Sequence, residues 1–225
     1  MAHVAKKAPG ASSYLPERFT LPVLSEAVQG CRGCELFRHA TQAVFGEMEG
    51  RRSKGLPVGL MMIGEQPGDR EDVEGHPFVG PAGKLLDRCL EEAGIERSSV
   101  YVTNVVKHFK WEPRGKRRLH KKPSQREIEA CRPWLDAELE VVHPKLVVCL
   151  GATAAQALLG SGFRVTKERG IALRAENLPP LMATVHPSSI LRARTDEDRH
   201  REMKRFIADL VAARQMVERA RKAES

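Results

Sequence analysis

Pro57-Val-Gly-Leu-Met-Met-Ile63 runs directly into Gly64-Glu-Gln-Pro-Gly-Asp69. The first half is a short apolar run and the second is rich in turn formers, which is the pattern of a buried strand feeding a loop. The same pattern recurs downstream. Val100-Tyr-Val-Thr-Asn-Val-Val106 is β-branched and predicts a second strand, with Asn104 and Lys107 near its carboxyl end. Leu146-Val-Val-Cys-Leu150, then Gly151 and an alanine-rich stretch to Leu159, predicts a strand-turn-helix unit, and Leu181-Met-Ala-Thr-Val185 a fourth strand closing at His186-Pro187. Helical periods lie between them. Leu85, Leu86, Cys89, Leu90 and Ala93 recur at helical spacing and stop at Gly94. Ser124-Gln-Arg-Glu127 is a capping box that opens a helix through Ile128, Trp134, Leu135, Leu139 and Val142, which Pro133 is expected to kink or restart. Residues 199–225, with Met203, Phe206, Ile207, Leu210 and Val211, predict a closing amphipathic helix. The alternation predicts an α/β fold: a single domain over 26–222 with a central parallel four-stranded sheet flanked by helices, preceded by a flexible tail at 1–25. Ligands of such sheets sit at the carboxyl ends of the strands, and Glu65, Gln66, Asn104, Gly151 and His186 all fall there.

The chain has 225 residues, with 37 Lys and Arg against 29 Asp and Glu and a net charge of +8. With 41% hydrophobic and 29% charged residues it can bury a core, and global disorder is excluded. No apolar run reaches the roughly 18 residues that span a bilayer, and no stretch resembles a signal peptide, so a cytoplasmic protein without membrane contact is expected. In a reducing compartment Cys31, Cys34, Cys131 and Cys149 read as metal ligands or buried thiols rather than disulfides; Cys89, spaced with Leu85, Leu86 and Leu90, reads as core. Cys31-Arg-Gly-Cys34 brings two thiolates within reach of one zinc or iron centre. Between Lys107 and Lys122, eight basic residues face one acid, Glu112. Interrupted by Pro113 and Gly115, this stretch reads as an exposed basic loop suited to phosphates, and nucleic acid is the leading partner. The sequence shows no sizeable apolar surface, and a monomer is expected.

Four ordered motifs carry a resemblance. Gly64-Glu-Gln-Pro-Gly68, Gly75-His-Pro-Phe-Val-Gly-Pro-Ala-Gly83, Thr103-Asn-Val-Val-Lys-His-Phe109 and His186-Pro-Ser-Ser-Ile-Leu-Arg192, with the four cysteines, are similar to the uracil-DNA glycosylase superfamily, and most of all to its iron-sulfur family four. Two departures from that family, Gln66 in the first motif and the insertion Arg114-Gly-Lys-Arg-Arg-Leu-His-Lys121, resemble the UdgX branch, in which a histidine becomes joined to DNA. That branch usually has Ile where Leu119 stands.

The resemblance implies a [4Fe-4S] cluster on Cys31, Cys34, Cys131 and Cys149. It implies that uracil is flipped out of DNA, with single strands preferred, into a pocket where Phe78 stacks on it, Asn104 contacts it, Gln66 contacts it or holds the loop, and His186 donates to O2 as negative charge develops there. Glu65 would stabilise the cationic sugar or orient the attacking group. A neutral His120 nitrogen would then attack C1′ in place of water, and the protein would act once. Lys116, Arg117 and Arg118 would hold phosphates, while Ser188, Leu191 and Arg192 contact the strand. The rival expectations are a conventional family-four enzyme that turns over, and a non-catalytic iron-sulfur protein that binds nucleic acid.

Overall fold

The four apolar runs become neighbouring parallel strands in a computed structural model that describes residues 10–48 and 59–223. In chain order the strands are β1 (Glu47–Met48), β2 (Leu60–Gly64), β3 (Val100–Asn104), β4 (Trp111–Arg114), β5 (Arg117–His120), β6 (Leu146–Leu150) and β7 (Leu181–Thr184). The helices are α1 (Leu21–Ala27), α2 (Asp69–Glu74), α3 (Pro81–Glu92), α4 (Gln125–Val142), α5 (Ala152–Leu159), α6 (Val165–Glu168), α7 (Pro187–Leu191) and α8 (Asp196–Ala223). The main sheet has the order β1-β3-β2-β6-β7. It has five strands rather than the expected four, because β1 adds a two-residue antiparallel edge to β3.

Every residue of β2, β3, β6 and β7 is buried, so these strands read as unbroken apolar runs instead of alternating ones. Their side chains still alternate between two cores. Met61, Ile63, Tyr101, Val147, Cys149, Leu181 and Ala183 face a cluster completed by α1, α4 and α5. Leu60, Met62, Val100, Val102, Leu146, Val148, Leu150 and Met182 face the one completed by α3, α7 and α8. At the end of α3 the amides of Gly94 and Ile95 return to the carbonyls of Glu91 and Leu90, and Gly94 takes φ +70 as that ending requires.

Residues 10–25 are not a loose tail: Ala11 and Leu24 are buried, and α1 starts at Leu21 with Thr20 capping it, so the packed body reaches back to Gly10. Pro57 and Val58, expected in the first strand, and residues 1–9 and 224–225 lie outside the described residues. Helix α4 opens on the Ser124–Glu127 capping box and passes through Pro133 without restarting; one backbone bond is lost there, on a half-buried position, while Trp134, Leu135, Leu139 and Val142 keep the helix on the core. The second strand ends at Asn104, and Val105 to Phe109 turn inward and stay buried, which removes Lys107 from the basic surface. The remainder of the basic stretch is a two-stranded ribbon, β4 paired with β5, turning at Gly115 with φ +58.

Candidate active site

A cavity of about 910 Å³ opens at the carboxyl ends of the parallel strands, lined by Glu65, Gln66, Phe78, Asn104, His120, Thr153 and His186 among others. Each wall grows from a strand end. Asn104 closes β3 directly opposite Gly64 of β2. A side chain at Gly64 would stand 2.3 Å from the Asn104 amide oxygen and 2.9 Å from the Phe78 ring, so this glycine is what admits both groups. Phe78 sits at φ +59, and its carbonyl lies against Gly83 so closely that a β-carbon there would fall 1.5 Å away. The Phe78 and His186 rings are nearly parallel, with centroids 6.0 Å apart and a 27° interplanar angle.

His186 follows β7 and caps α7. Its Nδ1 accepts the Ser188 amide at 3.1 Å and lies 2.8 Å from the Ser188 hydroxyl. Burial, helped by the charges of Arg192 and His120 and opposed by Glu65, pushes the imidazole down to about 4. The ring is therefore neutral at pH 7, and with Nδ1 engaged as acceptor its single proton is on Nε2. The side-chain amide of buried Asn104 makes no hydrogen bond among the described residues and is left for a ligand.

Glu65 follows β2. Its Oε1 is 3.3 Å from His120 Nε2, and its Oε2 accepts a short hydrogen bond from Thr153. Burial alone would raise this carboxyl, but the hydrogen bonds from His120 and Thr153, with the charges of His120 and Lys122, hold it below the ordinary carboxylate range. A fixed anion thus faces the end of the ribbon, where His120 is half exposed and its ring lies 6.2 Å from that of Phe109. Thr153 had gone unread in the sequence. Its signal was its place in the first turn after the third strand, beside Gly151, which the strand-end rule had already singled out.

The ribbon is anchored by Gln66 and Arg118. Gln66 does not offer its amide to the cavity: its Oε1 accepts from the Lys110 amide at 3.1 Å, and its Nε2 donates to the Lys110 and Lys121 carbonyls at 3.1 Å each. Arg118 is not open to phosphate. Its guanidinium donates to Asp69 at 2.6 Å and Asp72 at 2.6 Å and lies over Phe109 and Trp111. Lys107, Lys110 and Lys121 pair with Glu138, Glu127 and Glu112. Arg114, Lys116 and Arg117 at the ribbon tip are exposed and make no ion pair among the described residues. Across the cavity stand Ser188, Arg192 and Leu191, the last 40% exposed.

Cys31, Cys34 and Cys131 are buried within electrostatic reach of one another, and burial pushes Cys34 up to about 11 and Cys131 up to about 12. Two N–H groups are aimed at their sulfurs: Trp134 Nε1 at Cys31, 3.2 Å, and the Lys107 amide at Cys131, 3.3 Å. Cys149 stands on β6 beside Ile63 and Ala183, in the same buried cluster as the other three. Among the described residues no group of three or more ligating side chains is arranged to hold a metal ion.

Comparison with known proteins agrees with this geometry. The chain is 37% identical over 178 residues to a type-4 uracil-DNA glycosylase of Thermotoga maritima, covering 79% of this chain and 86% of that protein. It is 40% identical over 157 residues to the type-4 uracil-DNA glycosylase of Sulfurisphaera tokodaii, covering 67% of this chain and 65% of the relative. For the enzyme of the same description from Pyrobaculum aerophilum the identity is 35% over 179 residues, covering 76% and 85%. The model of the Uracil DNA glycosylase superfamily matches residues 55–211, which takes in every wall of the cavity, and the chain belongs to that superfamily.

Proposed function

We propose that this chain removes uracil from DNA by cleaving its N-glycosidic bond. The observation that carries the reading is the meeting, at one sheet edge, of an ionised Glu65 with a neutral His186 whose Nε2 proton is free to donate. A base inside a stack is out of reach of such a cavity, so the nucleotide enters flipped out or from a single strand. Phe78 offers a flat apolar face, and the Asn104 amide offers both a donor and an acceptor to the polar edge of uracil. When the bond between C1′ and the base breaks, its electron pair leaves with uracil. His186 Nε2 then donates to the oxygen that gains charge, and the carboxylate of Glu65 stabilises the cationic sugar.

What next reaches C1′ divides two readings. The relatives support a conventional enzyme in which water attacks, loses a proton and leaves an abasic site. The placement of His120 on Glu65 favours a second fate, capture of the sugar by the imidazole. In the resting geometry Nε2 faces the carboxylate, so the neutral ring must turn to bring its unprotonated nitrogen, with the lone pair, to C1′. The new C–N bond leaves an imidazolium, which sheds its other ring proton to solvent. A denaturing gel of the protein with a labelled single-stranded oligonucleotide bearing one uracil separates the readings. A uracil-dependent band that survives SDS and heat, is lost in His120→Ser and is replaced there by released uracil with turnover, supports capture. Free uracil without that band supports the conventional enzyme, and neither product overturns the glycosylase reading.

For an iron-sulfur cluster, four thiols buried in one cluster, two of them with N–H donors aimed at their sulfurs, suit thiolate ligands, and such a cluster would tie the N-terminal segment to α4 and β6. Its expected signature is an absorbance band in the visible blue from protein purified without oxygen. No step of the reaction above is routed through it.

A further inference from the structure

Lys107 is fully buried, and its ammonium group is fully used. It donates to the Thr103 hydroxyl at 2.7 Å, to the Asn104 carbonyl at 2.7 Å, and in a short contact to Glu138. The other Glu138 oxygen accepts from the Gly46 amide at 3.0 Å, the Tyr101 hydroxyl at 3.0 Å and the Thr103 hydroxyl at 2.8 Å. The backbone of Lys107 is held as firmly: its amide points at the Cys131 sulfur, and its carbonyl accepts the Val44 amide at 2.8 Å. A buried ion pair of this kind adds little stability over apolar side chains of the same volume, because both charges lose their hydration. Its geometric result is specific. The ammonium bends back three residues and holds the peptide that follows Asn104 at the point where β3 leaves the sheet. On the opposite side, Gly64 leaves the amide of Asn104 only the space that a missing β-carbon provides.

We propose that Lys107 is a positioning residue for Asn104: by fixing the Asn104 carbonyl from behind, it aims the side-chain amide at the base. The proposal rests on the reading that Asn104 contacts uracil. It assigns the buried Lys107–Glu138 pair to base recognition, apart from any part it has in folding. The test is a double-mutant cycle read as the single-turnover rate of uracil release from a single-stranded oligonucleotide, with Lys107→Met, Asn104→Ala and both together. Because a small misplacement of a contacting group costs up to about a hundredfold in rate, Lys107→Met is expected to slow release by about tenfold to a hundredfold in the wild-type background. In the Asn104→Ala background it should change the rate by less than about twofold, since the group it aims is gone.

Removing one charge of a buried pair can unfold the chain. Lys107→Met combined with Glu138→Gln leaves no uncompensated charge and keeps an oxygen for Gly46, Tyr101 and Thr103; it enters the cycle in place of the single change if that variant does not fold. A melting temperature restored by Glu138→Gln with release still slow supports the proposal, because stability and aim are then separated. Release restored together with melting temperature overturns it and leaves the pair a structural role. Effects of Lys107 and Asn104 that multiply independently overturn it as well. If Asn104→Ala alone leaves release unchanged, the base-contacting role fails and this proposal fails with it.

Discussion

Glu65 and His186 stand at two strand ends, and the surroundings of each set its charge. The Ser188 amide at Nδ1 and burial keep His186 neutral down to about 4. Uracil release is therefore expected to be level between pH 8 and 5 on account of this residue and to fall near 4, where a protonated Nδ1 meets the Ser188 N–H donor to donor. A rate profile that falls already near the ordinary histidine range would contradict that assignment. His186→Ala should lower the rate of release by about a hundredfold to a thousandfold, the loss expected for one donor at a developing anion, with a smaller effect on binding of the oligonucleotide. Glu65, Asn104 and His186 were legible in the sequence because each stands at a strand end, which is a local signal; Phe78, on the loop between α2 and α3, lies outside that signal. The partners through which Gln66 and Arg118 anchor the ribbon were not legible. Those groups, the Lys110 and Lys121 backbone and the Asp72 carboxylate, lie more than forty residues away along the chain and come close only through the fold.

At the scale of elements, the ribbon β4–β5 departs furthest from its sequence. Trp-Glu-Pro-Arg and Arg-Arg-Leu-His lack the apolar alternation that marks a strand, and proline is confined to edge strands. The ribbon forms because Gln66 bonds the backbone at its base and Arg118 ties it to α2, and these bonds hold His120 at Glu65. Gln66→Ala removes three hydrogen bonds worth about 1 kcal/mol each. Under the capture reading the fraction of excision events that end in a covalent band is expected to drop several-fold, while release of uracil is kept. A band of unchanged intensity on the denaturing gel would show that Gln66 does not hold the histidine in place. The ribbon tip makes a separate prediction. Replacing Arg114, Lys116 and Arg117 by alanine should flatten the dependence of single-strand affinity on salt by about 2 logarithmic units per decade, at roughly 0.7 per phosphate contact. An unchanged slope in binding measured by anisotropy would place the strand elsewhere.

Across the whole molecule, two cores share one sheet, and the parallel strands were legible because burial on both faces leaves long apolar runs. The edge strand β1 was not, since two residues carry no period. Two buried histidines bias the stability of the whole. His108 and His186 are each pushed by burial from 6.5 down to about 4, so the unfolded chain binds more protons than the folded one between those values. Stability should therefore fall as pH drops from 6.5 toward 4, by up to about 1.4 kcal/mol per pH unit for each histidine, as denaturant titrations at pH 7 and 5 would measure. The thiols give a further prediction. If the four buried cysteines together hold a cluster, Cys131→Ser and Cys149→Ala should each abolish its visible band. A band kept in Cys149→Ala would remove Cys149 from the set. Finally, residues 111–120 belong to neither buried cluster, so His120 is carried on a strip of chain that the body could lose without opening its core. A sugar captured there would be bracketed by trypsin sites at Arg118 and Lys121. Digestion would strip away the glycosylase and leave Leu119-His120-Lys121 as a tripeptide scar on the DNA, a tag of known mass that marks where each uracil had been.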